Sequence, residues 1–551
     1  MSRAVLIFWL LFAIASFLCF WGSHKVPLFD TDEPRYAQAA REMMERRDWV
    51  LPTFNGQPRY AKPALFYWLL IGAYKVFGVN EFAARFWSGV AAIAIALILF
   101  LAIKSSFGWE TGAIASLFWF TSLGAMIFAH AAITDMVLTA FMTGAILSFW
   151  LGAQKWHPFW FFLASSLCAL AVITKGPVGV VLPIAVFLTT LFSIRPSLPQ
   201  IPFMRLALIA LICVALFLAI ALPWYVAVSV KTQGEFLKQF LFVENVQRYT
   251  QSGKLPLWMH VVYFPLVAFG LGFPWSSIGI WALVKIPELT ENQKRWHTLL
   301  RIWTILPVLI FTFSQTKNPQ YVLLSIPALT TLAAIWLASS SPINERLAHF
   351  SWSVTVLMAA SLLFLTQPLL NSIPDWRIRL AGYEPVIFGW SIFAMGLLVL
   401  VMVTFIALPK RLFSVLAVTA MLGVHALAFE TFIPRLGHYR QEPLKHFAQM
   451  AASQLSSKDL LAVCCRDLSS VVFYSNRRVL KVNDLKQLKE LMRRNYRVDV
   501  FMHVKSFPNL KRLSGWHLVE RRGAFVWVSN RKVHCPLHGI LKKKNGKIKA
   551  L

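Results

Sequence analysis

Seven residues near the start of the chain, Asp30-Thr31-Asp32-Glu33-Pro34-Arg35-Tyr36, crowd three carboxylates beside one guanidinium. Like charges this close repel unless a cation neutralises them. A carboxylate so held can act as a general base or orient an acceptor and a sugar. Asp32 and Glu33 are the catalytic candidates, with Arg35 and Tyr36 binding substrate. The competing reading is that Asp32 caps a helix whose first turn tolerates Pro34; the two are compatible. Arg59-Tyr60-Ala61-Lys62-Pro63 follows, ahead of Phe66-Tyr67-Trp68. Arg59 and Lys62 suit a phosphate, whereas an interfacial lysine with an aromatic belt is also ordinary membrane furniture.

Asp135, in Ala131-Ala132-Ile133-Thr134-Asp135-Met136, opens an apolar run with no basic neighbour in sequence. Charges at membrane depth are costly and tend to be functional, which makes Asp135 a third catalytic candidate; a helix cap at the water boundary is the alternative. Lys175 in Thr174-Lys175-Gly176-Pro177, Glu244 and Arg248 in Glu244-Asn245-Val246-Gln247-Arg248-Tyr249, and Lys317 with Tyr321 complete the substrate-binding candidates. Each alone reads equally as a snorkelling or capping residue. Together, cations opposite carboxylates suit departure of a phosphate from a sugar, since developing charge needs fixed donors.

The elements that position these residues are set by composition. The 551 residues are 57% hydrophobic and only 14% charged, which excludes an ordinary soluble protein. Apolar runs fall near 4–22, 84–104, 112–130, 135–153, 158–174, 177–194, 204–224, 261–284, 302–314, 320–339, 351–367, 385–407 and 412–432, about thirteen spans of roughly 20 residues. The expected fold class is therefore an all-α polytopic membrane protein with a small C-terminal α/β soluble domain. The run after Met1-Ser2-Arg3 reads as a retained first helix rather than a cleaved signal. With simple alternation, Arg3, Lys104, Lys155, Arg195, Arg205, Lys285, Lys294, Arg295, Arg301, Arg346, Lys410 and Arg411 share one side, the cytoplasmic one. The loop 23–83, the loop 226–260 and the C-terminal domain then lie on the opposite, periplasmic side, in an inner membrane protein. All the candidate residues fall on that face.

The expected divisions are 1–433 for the membrane block, 434–534 for the periplasmic domain and 535–551 for a basic tail. Within loop 23–83, Arg35 to Arg47 puts Tyr36, Ala39, Ala40, Met43 and Met44 on one helical face, and a second helix runs from Pro63 to Phe77, both along the membrane surface. Beyond Phe432, Leu460–Cys465, Val471–Tyr474 and Val498–Val504 read as strands and Asp484–Arg494 as an amphipathic helix. Trp516–Arg521 and Ala524–Ser529 read as a hairpin through Arg522-Gly523.

The formal charge is +30, and close to half of the 54 Lys and Arg lie beyond Phe432. On so apolar a chain this points to membrane lipid or phosphorylated glycolipid rather than nucleic acid. No P-loop, dinucleotide motif, zincin pair or Cys/His metal signature appears. No cofactor is assigned, and a divalent metal stays open. Cys464, Cys465 and Cys535 share the soluble domain without zinc-ligand spacing; whether either of the first two pairs with Cys535 stays open as well.

The motifs jointly resemble the bacterial 4-amino-4-deoxy-L-arabinose transferases of lipid A and the wider protein-mannosyltransferase-like group with the C-type glycosyltransferase fold. The resemblance runs through Asp32-Glu33-Pro34-Arg35-Tyr36, Lys62-Pro63 with Tyr67-Trp68, Asp135, Thr174-Lys175-Gly176, Leu222-Pro223-Trp224, Val243-Glu244-Asn245-Val246-Gln247-Arg248 and Lys317 with Tyr321. Ala61 stands where that pattern usually has a Glu. The resemblance implies a polyprenyl-phosphate sugar donor, Asp32 as central carboxylate, Asp135 as second acid, and Arg35, Lys62 and Tyr321 near the donor phosphate. The expected activity is transfer of that sugar, 4-amino-4-deoxy-L-arabinose or another pentose or hexose, to lipid A or another envelope glycan or protein. Protein O-mannosyl transfer is the alternative within the group. A transporter or flippase is the alternative outside it, and it would show an internal repeat or mid-span charge pairs.

Overall fold

The computed structural model describes residues 3–194, 202–247, 256–338, 410–464, 466–504 and 515–533. Two compact units are present. The first comprises Met1–Val26, Ala39–Ser372 and Gly382–Pro434; the second comprises Pro27–Gln38, Ile373–Ala381 and Arg435–Leu551.

The apolar runs of the first unit are helices, the conformation that pairs every backbone group internally where no water can. They are α1 (Arg3–Leu18), α2 (Asp32–Arg46, beginning in the second unit), α3 (Leu65–Phe77), α4 (Glu81–Phe107), α5 (Trp109–Phe120), α6 (Leu123–Ala129), α7 (Thr134–Lys155), α8 (Pro158–Lys175), α9 (Val178–Ile194) and α10 (Phe203–Lys231). After a π-helical stretch at Gln239–Gln247 come Leu257–Gly272, Ser276–Val284, Glu291–Thr312, Ile326–Ala338 and Lys410–Leu427. Hydroxyls inside these helices bond back one turn, as Thr139 does to the Asp135 carbonyl at 2.8 Å and Thr174 to that of Leu170 at 2.8 Å. Buried indoles do the same across helices: Trp119 donates to the Ala92 carbonyl at 2.9 Å and Trp303 to that of Leu324 at 2.9 Å.

Among the described residues, five helices are long and apolar enough to cross a membrane, or up to seven if each bent pair is one span. The run expected as a single span over 261–284 is instead two helices bent by 119°. Pro274 stands in the break and brings no backbone N–H to continue a ladder. The run 112–130 is likewise bent, by 57°, between Phe120 and Leu123. The expected runs 351–367 and 385–407 lie outside the described residues. Both loop helices form, as α2 and α3, and Tyr36, Ala39, Ala40 and Met43 are buried.

In the second unit a five-stranded sheet runs in the order β4-β3-β5-β7-β6, with β3 Leu460–Cys464, β4 Val479–Val482, β5 Val498–His503, β6 His517–Arg522 and β7 Phe525–Ser529; β1 and β2, in the first unit, form a two-residue ladder at Thr53–Phe54 and Gln57–Pro58. Strand β3 is parallel to β4 and β5, while β7 is antiparallel to β5 and β6. The hairpin and the helix capped by Asp484 fall where the pattern put them. The expected strand Val471–Tyr474 is a helix, Ser469–Ser475. Parallel neighbours need a crossover between them, and this apolar segment supplies it against β-branched propensity. Cys464 is disulfide-bonded.

Asp499, fully buried in β5, accepts both forks of Arg497, at 3.0 and 2.8 Å. Arg497→Met should therefore cost about 3–5 kcal/mol by stranding that carboxylate. Replacing Asp499 by Leu in the same chain should restore most of it, as read by thermal unfolding.

Candidate functional site

A cavity of about 250 Å³ opens in the first unit, lined by Lys62, Asp135, Lys175, Glu244 and Tyr321 among apolar side chains of α7, α9 and Glu291–Thr312. It gathers five of the residues singled out in the sequence. Asp135 sits in the first turn of α7 and Lys175 ends α8, so the short loops between apolar helices deliver both charges to one place. Their side chains form a direct ion pair, only 6% and 13% exposed. Asp135 thus has the cation that its sequence neighbourhood lacks, and the cap of α7 is Ile133 instead. The Lys175 ammonium also lies 5.2 Å from the centre of the Tyr321 ring, a cation–π distance.

Lys62 faces Glu244 at 3.8 Å and donates to its neighbour's carbonyl, that of Ala61, at 2.8 Å. Arg59 does not line the cavity; its Nε donates to the Tyr67 hydroxyl at 3.0 Å, within the electrostatic reach of Glu244. Asn318 donates to the Tyr321 hydroxyl at 3.2 Å and fixes that phenol. Lys317 turns away, its ammonium 4.9 Å over the Phe264 ring and donating to the Thr312 carbonyl at 2.9 Å. Arg248 lies outside the described residues.

Two features hold the cavity's shape. Gly176 follows Lys175 with φ +104°, and a Cβ there would come within 2.5 Å of Phe240. Only glycine combines that backbone with that approach. Phe240 precedes Glu244 on the π-helical stretch and packs with Phe236 and Trp224, so the Thr174-Lys175-Gly176 and Leu222-Pro223-Trp224 motifs meet in one apolar cluster. Trp224 in turn donates to the Val50 carbonyl at 3.0 Å.

The candidates within Asp30 to Tyr36 belong to the second unit. Asp32 and Glu33 occupy the first turn of α2, where the helix dipole favours anions. Asp32 stays more than half exposed and 4.0 Å from Arg35. Glu33 is buried and accepts the Phe29 amide at 2.7 Å, a capping role, and Tyr36 is buried. Arg35 pairs directly with Asp467 and donates to Ser469 at 3.1 Å.

Sequence reasoning missed Arg85 and named Asp30 without giving it a role. Arg85 is buried at the start of α4 and donates to the carbonyls of Ser23 and Val26 at 2.8 and 2.7 Å, anchoring the loop's first residues. Its place inside an apolar run concealed it. Asp30 accepts from the Ser470 amide and hydroxyl at 2.7 and 2.6 Å. Burial pushes its carboxyl up to about 6 against those bonds, with Asp467 raising it further and Arg440 opposing. Among the described residues, no three His, Cys, Asp or Glu side chains group to hold a metal ion.

Lys175→Met should lower thermal stability by about 3–5 kcal/mol, because it leaves the Asp135 carboxylate buried and alone. Adding Asp135→Leu should recover most of the loss; full additivity of the two changes would contradict a coupled pair. For Asp30, the folded carboxyl titrates near 6 and the unfolded one at 3.8. Its contribution is complete below pH 3.8 and is lost as pH rises through about 6. Asp30→Asn should flatten stability across that window, a difference of about 3 kcal/mol in chemical denaturation.

Comparison with known proteins agrees with this architecture. Residues 61–220 match the family model described as dolichyl-phosphate-mannose-protein mannosyltransferase. The chain is 29% identical over 351 residues to the undecaprenyl phosphate-alpha-4-amino-4-deoxy-L-arabinose arabinosyl transferase of Edwardsiella ictaluri, 61% of each chain. Its namesake from Yersinia pestis is 28% identical over 317 residues, 56% of this chain and 55% of that one. The match thus spans about three fifths of those relatives' length. Crystal structures of ArnT from Cupriavidus metallidurans, bound to undecaprenyl phosphate and in the apo state, superpose with TM-scores of 0.79 and 0.77. Both are 22% identical, with 96% of this chain and 99% of theirs covered. The fold is that of the ArnT structures, and residues 61–220 resemble the dolichyl-phosphate-mannose-protein mannosyltransferase family model.

Proposed function

We propose that this protein transfers a sugar from a polyprenyl-phosphate donor to an acceptor at the periplasmic face of the inner membrane, with lipid A the foremost acceptor. The observation that carries the reading is the amphipathic cavity: two lysines and a phenol beside an apolar wall suit one phosphate with a long hydrocarbon tail. The names of the relatives and the undecaprenyl phosphate in the ArnT crystal structure support the same donor class.

In this mechanism an acceptor oxygen attacks the anomeric carbon while the bond to the donor phosphate breaks. Lys62 and Lys175 receive the charge that develops on the departing phosphate, and Tyr321 adds a hydroxyl. Such preorganised donors act in a site screened from water, where they are worth most. Asp135 and Glu244 hold the two ammonium groups in place before substrate arrives. The motif pattern gives Asp32 the role of base for a sugar or protein hydroxyl, with Glu33 shaping its turn. A phosphate acceptor needs little deprotonation, and then Asp32 orients rather than abstracts. The roles given to Tyr36, Arg59, Arg248 and Lys317 near the donor rest on the motif pattern.

The topology accompanying this reading has about thirteen spans and places the C-terminal domain in the periplasm. The loop charges favour that orientation, and a disulfide at Cys464 suits an oxidising compartment. The family matched over residues 61–220 favours a second acceptor class, protein hydroxyls, with the donor unchanged.

The test is expression in a host followed by mass spectrometry of lipid A, core oligosaccharide and glycoproteins. A glycan mass increment should appear and should vanish in Asp32→Asn. Lys175→Gln should cut turnover about 100-fold or more, the cost typical of losing one charge-stabilising donor. Increments on glycoproteins alone would shift the acceptor to protein. No increment on any of the three would sink the reading.

A further inference from the structure

The turn that presents Asp32 is built into the C-terminal domain. Residues 27–38 cluster with residues beyond 435, and the turn is anchored by residues 467–474 of that domain together with Gln441. The Leu28 amide donates to the Tyr474 hydroxyl at 2.7 Å. Asp30 accepts from Ser470 twice, at 2.7 and 2.6 Å. With its amide oriented to match, Gln441 donates to the Asp30 carboxylate at 3.2 Å and accepts the Asp30 amide at 3.1 Å. Arg35 closes the far side of the turn on Asp467 and Ser469, and Ser469 also donates to Asp467 at 2.9 Å. Asp32 lies between these two clamps and, among the described residues, makes a longer contact of 4.0 Å to Arg35.

Unlike Lys62 and Lys175, Arg35 does not line the cavity, and its guanidinium is held by a carboxylate and a hydroxyl. Taking it for a substrate phosphate would strand Asp467, whose other cation, Lys481, is at 3.7 Å and exposed. We infer that Asp30 and Arg35 are positioning residues, and that the C-terminal domain, through Asp467, Ser469 and Ser470, sets the geometry of the Asp32 turn. This deepens the proposed transfer activity and rests on it for the role of Asp32. It assigns Arg35 to the domain rather than to the donor phosphate.

The discriminating residue is Asp467, more than 400 positions from Arg35 in sequence and itself an anion. A phosphate-binding Arg35 would be freed by Asp467→Asn, whereas a positioning Arg35 would be disabled by it. Full-length protein in nanodiscs is compared as wild type, Asp467→Asn, Arg35→Gln and the double variant. Hydrogen exchange of amides 28–36 and transfer kinetics are both measured. Each single change should raise exchange across 28–36 at least tenfold and lower kcat at least tenfold, with KM for the polyprenyl-phosphate donor unchanged. The double variant should be no worse than either single one. The charge swap Arg35→Asp with Asp467→Arg should recover protection.

Unchanged exchange in Asp467→Asn would overturn the inference. So would a raised KM in Arg35→Gln with normal kinetics in Asp467→Asn. Exchange answers the positioning question even if wild-type protein transfers no sugar, which would instead defeat the proposed activity.

Discussion

A carboxylate withdrawn from water survives as an anion only beside a fixed cation, because desolvation costs several kcal/mol per charge. The Asp135–Lys175 pair meets that condition in the middle of an otherwise apolar helix bundle, and much of the first unit is arranged to allow it. One partner opens α7 and the other closes α8, so both polar heads emerge where two helices end. Gly176 turns the chain immediately after the lysine and leaves room for Phe240. That aromatic seats the stretch bearing Glu244, which faces Lys62 and supplies the second pairing. The cavity is the space left between these two partnerships.

The pairs make the cavity polar without a large net charge of its own. A substrate that brings one anion and a hydrocarbon chain meets lysines already aligned and an apolar wall already formed. Little side-chain ordering remains for it to bring about. Tyr321, fixed by Asn318 and set against the Lys175 ammonium, belongs to the same prearranged surface.

Much of this was legible in the sequence because membranes make strong demands. Runs of apolar residues had few alternatives to helix, and the charges interrupting them had to be special. Asp135 and Lys175 were readable on that ground, Lys62, Glu244 and Tyr321 by their motifs, and the structure lines one cavity with all five. What distance along the chain hid was partnership: Asp135 seemed to lack a cation because Lys175 is forty residues away. Arg85 was lost inside an apolar helix, since nothing local announces that its guanidinium reaches two carbonyls of another segment. The sharp bend over 261–284 could not be told from a straight span by hydropathy, which counts residues and ignores direction. In the soluble domain, Val471–Tyr474 carried strand propensity and became a helix because a parallel pair on either side required one.

The second unit also has a history written into its connectivity. Its sheet places β5 at the centre, between β3 and β7, and is completed only by residues near 529, while one of its segments ends at Gln38. Leu28 and Tyr474 are separated by 446 positions. During synthesis the amino-terminal turn must therefore wait, unsupported, until the whole helical bundle has been threaded through the membrane. Domains generally assemble as their sequence emerges, and contacts this remote close last. The acidic turn is made more than 400 residues before the segment that frames it and is among the last parts to acquire its shape, so a ribosome that stalls before that segment leaves Asp32 without a frame.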